Sequence, residues 1–162
     1  MSTILIVDDE AMARNYLRDI IHSFDIGWKV VAEASNGRQA YEYLRENPVH
    51  LLLTDIKMPI MDGLELCRLT KELSPETFIV IFSGYDDFSY SKTAMRYGVT
   101  EYLLKPVDLN ELRDTLNLIL MRIKELNSIK DNVQLLSSVN SQYNSNLHND
   151  YIMTYFNGNK IR

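Results

Sequence analysis

The chain has 162 residues, 46% of them hydrophobic and 24% charged, with 22 acids against 17 bases and a net charge of −5. That balance suits a soluble globular domain able to bury a core without staples, and argues against this stretch being itself a nucleic-acid-binding domain. No apolar run approaches the ~20 residues of a membrane-spanning helix, which excludes one. In chain order, apolar runs of strand length stand at 3–7, 29–33, 50–54, 77–82 and 100–104. Helical patterns lie between and after them, at 10–24, 37–46, 63–73, 86–97 and from 109 onward. Several helix starts have a mechanism. Asn36 before Gly37 is placed to cap, Asp62-Gly63 reads as a turn with Asp as cap, and Asp108-Leu109-Asn110-Glu111 is an Asp variant of the capping box.

Five strands alternating with five helices predict a parallel α/β sheet. The run Leu51, Leu52, Leu53 and the run 78–82 are apolar throughout, as in strands covered on both faces. Right-handed crossovers then give a doubly wound, flavodoxin-like sheet, most simply in the order 2-1-3-4-5, with ligands at the carboxyl ends of the strands. Residues 1–107 carry the whole net charge, four prolines and five of six glycines, so a compact domain is expected over 1–122.

The expected strand ends hold Asp8-Asp9-Glu10 after strand 1, Asp55 after strand 3, Ser83-Gly84 after strand 4 and Lys105-Pro106 after strand 5. Acids after strands often only cap the next helix. Four such sites at one edge make a coherent chemistry instead. Carboxylates converging in a cleft repel by roughly 4 kcal/mol per close pair, at an effective dielectric of ~20, unless one is protonated or a cation joins them. A few oxygen ligands with retained water favour Mg²⁺. A carboxylate beside Mg²⁺ can attack a phosphoryl group, and Lys105 and the Ser83 hydroxyl would meet the phosphoryl oxygens.

On these residues the chain resembles a two-component response-regulator receiver domain, the CheY-like family. The matching stretches are Ile6-Val7-Asp8-Asp9-Glu10, Thr54-Asp55-Ile56-Lys57-Met58-Pro59-Ile60-Met61-Asp62-Gly63, Ser83-Gly84-Tyr85 and Tyr102-Leu103-Leu104-Lys105-Pro106. The run from Ser83 to Asp108, with Tyr85-Asp86-Asp87-Phe88, looks most like receivers of the YesN type, which usually precede an AraC-type helix-turn-helix domain. The resemblance implies Asp55 as phosphoacceptor. It implies Mg²⁺ held by Asp9, Asp55 and the Lys57 backbone carbonyl, with Asp8 acting through water. Ser83 is the implied switch hydroxyl, Lys105 the phosphate-pairing lysine and Tyr102 the switch aromatic. The Lys105-Pro106 bond is expected to be cis.

Two departures stand out. Ser83 replaces the frequent Thr, which keeps the hydroxyl and loses a methyl. Lys57 stands where relatives often carry Asn, and its side chain bears on phosphate lifetime rather than on the carbonyl's role. The implied function is a phosphoacceptor rather than an enzyme. A sensor histidine kinase would be its partner, and its output would be transcriptional, reaching DNA only through a domain outside these residues. The implied dimer forms on phosphorylation through helix 4, strand 5 and helix 5, with the linker helix as a further contact. The rival is a Mg-dependent aspartyl-phosphate phosphohydrolase. Haloacid-dehalogenase-like enzymes place a general acid two residues after the nucleophile, where this chain has Lys57. Neither a Gly-x-x-x-x-Gly-Lys loop nor a Ser/Thr/Gly-rich loop after strand 1 supports a nucleotide or flavin binder.

Cys67 cannot form an intrachain disulfide and lies among Leu64, Leu66 and Leu69, as a packed small hydrophobe would. With no charged leader before Ile4, a cytoplasmic, non-membrane location is expected. His22, His50 and His148 share no ligand spacing. Tyr85, Tyr90, Tyr97 and Tyr102 read either as a half-buried surface or as an aromatic output face.

Beyond the compact domain, a linker is expected at 123–149 and the start of a further module at 150–162. Leu112, Leu116, Ile119, Ile123 and Leu126 recur at 4, 3, 4 and 3. A second frame runs through Ile129, Val133, Leu136, Asn140, Tyr143 and Leu147. This is a seven-residue period with one discontinuity. Half of the eighteen residues 132–149 are Asn or Ser, which weakens helix propensity. Two readings stay open, a dimerising coiled-coil helix and a frayed linker. Tyr151, Ile152, Tyr155 and Phe156 would share one helical face.

Overall fold

The computed structural model describes residues 1–84 and 88–158, with side chains to residue 149 and at Met153. Tyr85, the start of the fourth predicted helix and the face expected from Tyr151 to Phe156 lie outside what is described. The elements run β1 (Ser2–Val7), α1 (Ala11–Phe24), β2 (Trp28–Ala34), α2 (Gly37–Glu46), β3 (Leu51–Thr54), α3 (Gly63–Leu73), β4 (Phe78–Ser83), α4 (Phe88–Arg96), β5 (Glu101–Leu104) and α5 (Leu109–Gly158). The five strands form one parallel sheet in the order β2-β1-β3-β4-β5, as the alternation of patterns predicts.

Apolar side chains on both faces hold this sheet. Ile4, Leu5, Ile6, Leu51, Leu52, Leu53, Ile79 and Ile81 are fully buried. Each such side chain contributes about 1.5–3 kcal/mol over an exposed one. The covering helices keep helical spacing, with Ala40 and Leu44 buried on α2 and Leu66, Cys67 and Thr70 on α3. Leu112, Leu116 and Ile119 of α5 are buried, and the Trp28 indole N–H donates to the Leu116 carbonyl at 3.2 Å.

The helix starts use the expected caps. Asn36 Oδ1 accepts from the Gln39 N–H at 2.9 Å and Asp62 Oδ1 from Glu65 at 2.9 Å. Asp108 Oδ1 accepts from Asn110 at 2.9 Å and Glu111 at 3.1 Å. These caps satisfy amides that have no partner within the helix.

The chain divides into two compact units, residues 1–120 and a second starting at Met121. The first holds the sheet and its covering helices. The second is helical from Met121 to Gly158, without a break at residue 149. Among the described residues, no helix is long and apolar enough to cross a membrane.

Candidate functional site

The strand order changes direction at β1 and β3, where the connections after these two strands run to opposite sides. A crevice forms at such a switch point. Val7 is level with Thr54 in the ladder, and the Asp55 N–H donates to the Val7 carbonyl at 2.9 Å. The chain therefore delivers Asp8, Asp9 and Asp55 to one place.

Each of these three residues offers a carboxylate oxygen, and the three atoms lie within 4.8 Å of one another. Asp8 and Asp55 are buried and Asp9 is exposed. Asp8 Oδ1 accepts from the Glu10 N–H at 2.9 Å, which fixes its rotamer at the start of α1. Asp55 Oδ1 accepts from the Ile56 N–H at 2.6 Å. The second oxygens of both turn to one cation. Lys105 Nζ stands 2.7 Å from Asp8 Oδ2 and 3.0 Å from Asp55 Oδ2. Burial pushes the Lys105 ammonium towards neutrality, but the hydrogen bonds and charges of Asp8 and Asp55 outweigh it and hold its pKa above the ordinary lysine value.

Lys105 reaches the site because β5 pairs with β4, and its N–H donates to the Ser83 carbonyl at 2.9 Å. The Lys105–Pro106 bond is cis. Ser83 is fully buried at the end of β4, and Tyr102 is half-buried against the core. The Lys57 side chain is exposed, and its ammonium lies 5.8 Å from the centroid of the Tyr90 ring on α4. A cation at that range is attracted by the ring face. So the side chain at position 57 sets its ammonium beside an aromatic of α4.

Sequence reasoning missed what holds the loop after β3. The Gly63 N–H donates to the Ile56 carbonyl at 2.7 Å, and a Cβ at Gly63 would sit 1.8 Å from the Asp55 carbonyl oxygen. No side chain fits there. At the other end, the Gly37 N–H donates to the Met61 carbonyl at 3.0 Å, and a Cβ would come within 2.7 Å of that oxygen. Between them the exposed Ile60 adopts φ 72°, a strained conformation for a β-branched residue. Arg14 was also missed; its Nη1 donates to the Asp8 carbonyl at 2.7 Å. The Asp-Gly pair signalled a turn, but nothing local in the sequence signals a contact between Gly37 and Met61 or between Arg14 and Asp8.

Among the described residues, Asp8, Asp9 and Asp55 are the group of three that come together with metal-ligand chemistry. Cys67 is buried, and burial first, with the Asp62 charge, pushes its thiol up to about 12. It is packing, as its apolar neighbours imply.

Known proteins share both the sequence pattern and the fold. The chain is 38% identical over 124 residues to the uncharacterized transcriptional regulatory protein YesN of Bacillus subtilis, an alignment covering 76% of this chain and 34% of that protein. It is 31% identical over 157 residues to the transcriptional regulatory protein HptR of Staphylococcus aureus, covering 97% of this chain and 61% of that one. The chain thus spans about a third to three fifths of these relatives. The REC domain of AraT, a response regulator from Geobacillus stearothermophilus, superposes with a TM-score of 0.72 at 37% identity, covering 78% of this chain and 98% of that one. The family model described as the response regulator receiver domain matches residues 4–117, and this chain belongs to that family.

Proposed function

We propose that Asp55 accepts a phosphoryl group from a phosphohistidine of a sensor kinase. A carboxylate oxygen attacks phosphorus, the P–N bond breaks, and an acyl phosphate forms while the imidazole leaves. The observation that carries this reading is Lys105 Nζ bridging Asp8 and Asp55 at 2.7 and 3.0 Å. The ammonium stands where a phosphoryl oxygen on Asp55 would need a donor.

The donor set fits a hard divalent cation: three carboxylates within 4.8 Å and no nitrogen or sulfur ligand among them. Asp9, Asp55 and the Lys57 carbonyl would hold Mg²⁺, with Asp8 acting through water. When bound, Mg²⁺ neutralises charge that builds on the phosphoryl oxygens. The chain's own residues do the rest. Asp8 and Asp55 orient Lys105, the Ile56 N–H fixes the Asp55 rotamer, and the Ser83 hydroxyl would donate to a phosphoryl oxygen on the other side.

Drawing Ser83 and Lys105 towards the phosphoryl group would bias Tyr102 and the face of α4, β5 and α5, which then dimerises. In this reading the receiver spans 1–122, the linker 123–149, and a further module begins within 150–162. The protein would be cytoplasmic and would carry the output to DNA through a domain outside these residues; the support is that its relatives are named transcriptional regulatory proteins. The domain is a phosphoacceptor with slow self-dephosphorylation and not an enzyme. The phosphohydrolase alternative is not favoured, since Lys57 stands where such an enzyme needs an acid.

The relay is tested with Ser83→Ala and Lys105→Ala. Both should accept phosphate from acetyl phosphate with Mg²⁺ yet lose the tyrosine spectral change of the wild type, while melting near the wild-type temperature. Responses equal to wild type in both variants would contradict the switch roles.

A further inference from the structure

The backbone of Asp8 is held as firmly as its carboxylate. Its N–H donates to the Ala34 carbonyl of β2 at 3.1 Å, Oδ1 accepts from Glu10 and Oδ2 from Lys105. Pairing of β1 with both neighbouring strands ends at Val7, and the carbonyl just beyond still needs a donor. Arg14 supplies it through Nη1 at 2.7 Å. Side chains on a helix lean towards its N-terminus, so a residue one turn into α1 can reach back to the strand end. The guanidinium is held in turn from β2. Its Nε stands 3.7 Å from Glu33 Oε1, and Glu33 Oε2 accepts from Arg18 Nη1 at 2.8 Å. Arg18 lies one turn after Arg14, so both arginines meet the same carboxylate. The Arg14 side chain is only 20% exposed. This turn also lacks the device that fixes others. Glu10, at the N-cap of α1, makes no side-chain cap hydrogen bond, whereas Asn36, Asp62 and Asp108 cap α2, α3 and α5.

We propose that Arg14, anchored by Glu33, is a positioning residue for the acidic site. It fixes where β1 ends and α1 begins, and so holds the Asp8 and Asp9 carboxylates where a Mg²⁺ ion needs them. This role rests on Asp8, Asp9 and Asp55 being the metal site of phosphoryl transfer. Arg14 acts on that site through the Asp8 backbone, and Glu33 acts through Arg14. Glu33 has a second effect. It offsets the charge of the guanidinium, so the donor to Asp8 adds little repulsion against a divalent cation. Partners of this kind, one step behind the ligands, commonly govern metal affinity by about 10–100-fold. Charge and geometry predict opposite signs for the loss of Arg14. Removing a cation beside a cation site strengthens binding of the ion, whereas removing the support of its ligands weakens it. The sign of the change therefore separates the two.

Mg²⁺ alone, titrated into the full chain and followed through backbone amide shifts of the folded protein, tests this. Arg14→Ala should bind the ion on the order of tenfold more weakly than the wild type. Glu33→Ala, a change on the edge strand β2, should weaken binding by a smaller factor, and it reads the same link where Arg14→Ala fails to fold. Its loss should persist in ~1 M salt, where the Debye length is ~3 Å and a charge effect is screened. The double variant should match Arg14→Ala rather than sum the two losses. Uptake from acetyl phosphate by Arg14→Ala should need on the order of tenfold more Mg²⁺ for half its maximal rate, with the rate at saturating Mg²⁺ changed less. A merely structural role would lower the melting temperature in EDTA and leave the Mg²⁺ affinity of the folded chain as it was. Equal or tighter binding by Arg14→Ala, additive losses in the double variant, or a Glu33→Ala loss that vanishes in salt would overturn the role of Arg14 while the wild type still binds the ion. A wild type that takes up no Mg²⁺ would instead overturn the reading of the site, and the role with it.

Discussion

Leu52 of β3 and Leu136 of α5 are the same residue type, yet the first is fully buried and the second is 65% exposed. Each belongs to a regular pattern, one a run in a parallel strand and the other a heptad. The first unit closes on itself, because its sheet is covered by its own helices. The second has a period, and among its described residues the large apolar side chains from Leu126 to Leu147 stay exposed. A pattern of apolar residues therefore fixes which face needs covering, while the rest of the chain decides whether the cover is intramolecular.

The largest expected break lies where the first unit has no slack. Gly63→Ala drives a methyl into the Asp55 carbonyl, against a gap of 1.8 Å. The loop must move, so the variant should lose most of its phosphate uptake and more stability than a single core truncation. Uptake and denaturant midpoint measured together check this, and a wild-type midpoint would show that the loop relaxes freely. Next, Leu52→Ala should cost about 2–5 kcal/mol of unfolding free energy, whereas Leu136→Ala should change it by less than about 0.5 kcal/mol. Comparable losses in urea titrations would erase the contrast between the units.

The smallest effect concerns Cys67. Its thiol ordinarily ionises near 9.0 and is raised to about 12 in the fold. A raised value favours the folded state below pH 9.0, and that contribution fades as pH rises towards 12. Thiol reagents at pH 8 should label the native chain far more slowly than the urea-unfolded one, and Cys67→Ala should lose less stability above pH 9. Equal labelling of the two states would mean that the helix opens easily there.

The same contrast accounts for what could be read from sequence. Strand ends were legible because each strand is a short apolar run that stops at a charged or hydroxyl residue, so Asp8, Asp9, Asp55, Ser83 and Lys105 fall at one edge once the order 2-1-3-4-5 is inferred. Caps were legible because Asn36, Asp62 and Asp108 act on amides two or three residues away. The close approaches at Gly37 and Gly63 were not, because they depend on how a loop folds back between elements far apart in sequence. Arg14 and the contact of Lys57 with Tyr90 join residues of different elements and leave no local pattern. The helix beyond residue 122 was ambiguous because its Asn and Ser residues lower propensity without breaking the period.

Everything proposed for the first unit turns on Asp55 carrying the phosphoryl group. The decisive measurement is intact mass after treatment with acetyl phosphate and Mg²⁺, followed by peptide mapping. One added phosphoryl group is expected, located at Asp55, absent from Asp55→Asn and prevented by EDTA. Full-rate labelling of Asp55→Asn, or a label on Asp8, Asp9 or one of the histidines, would contradict it.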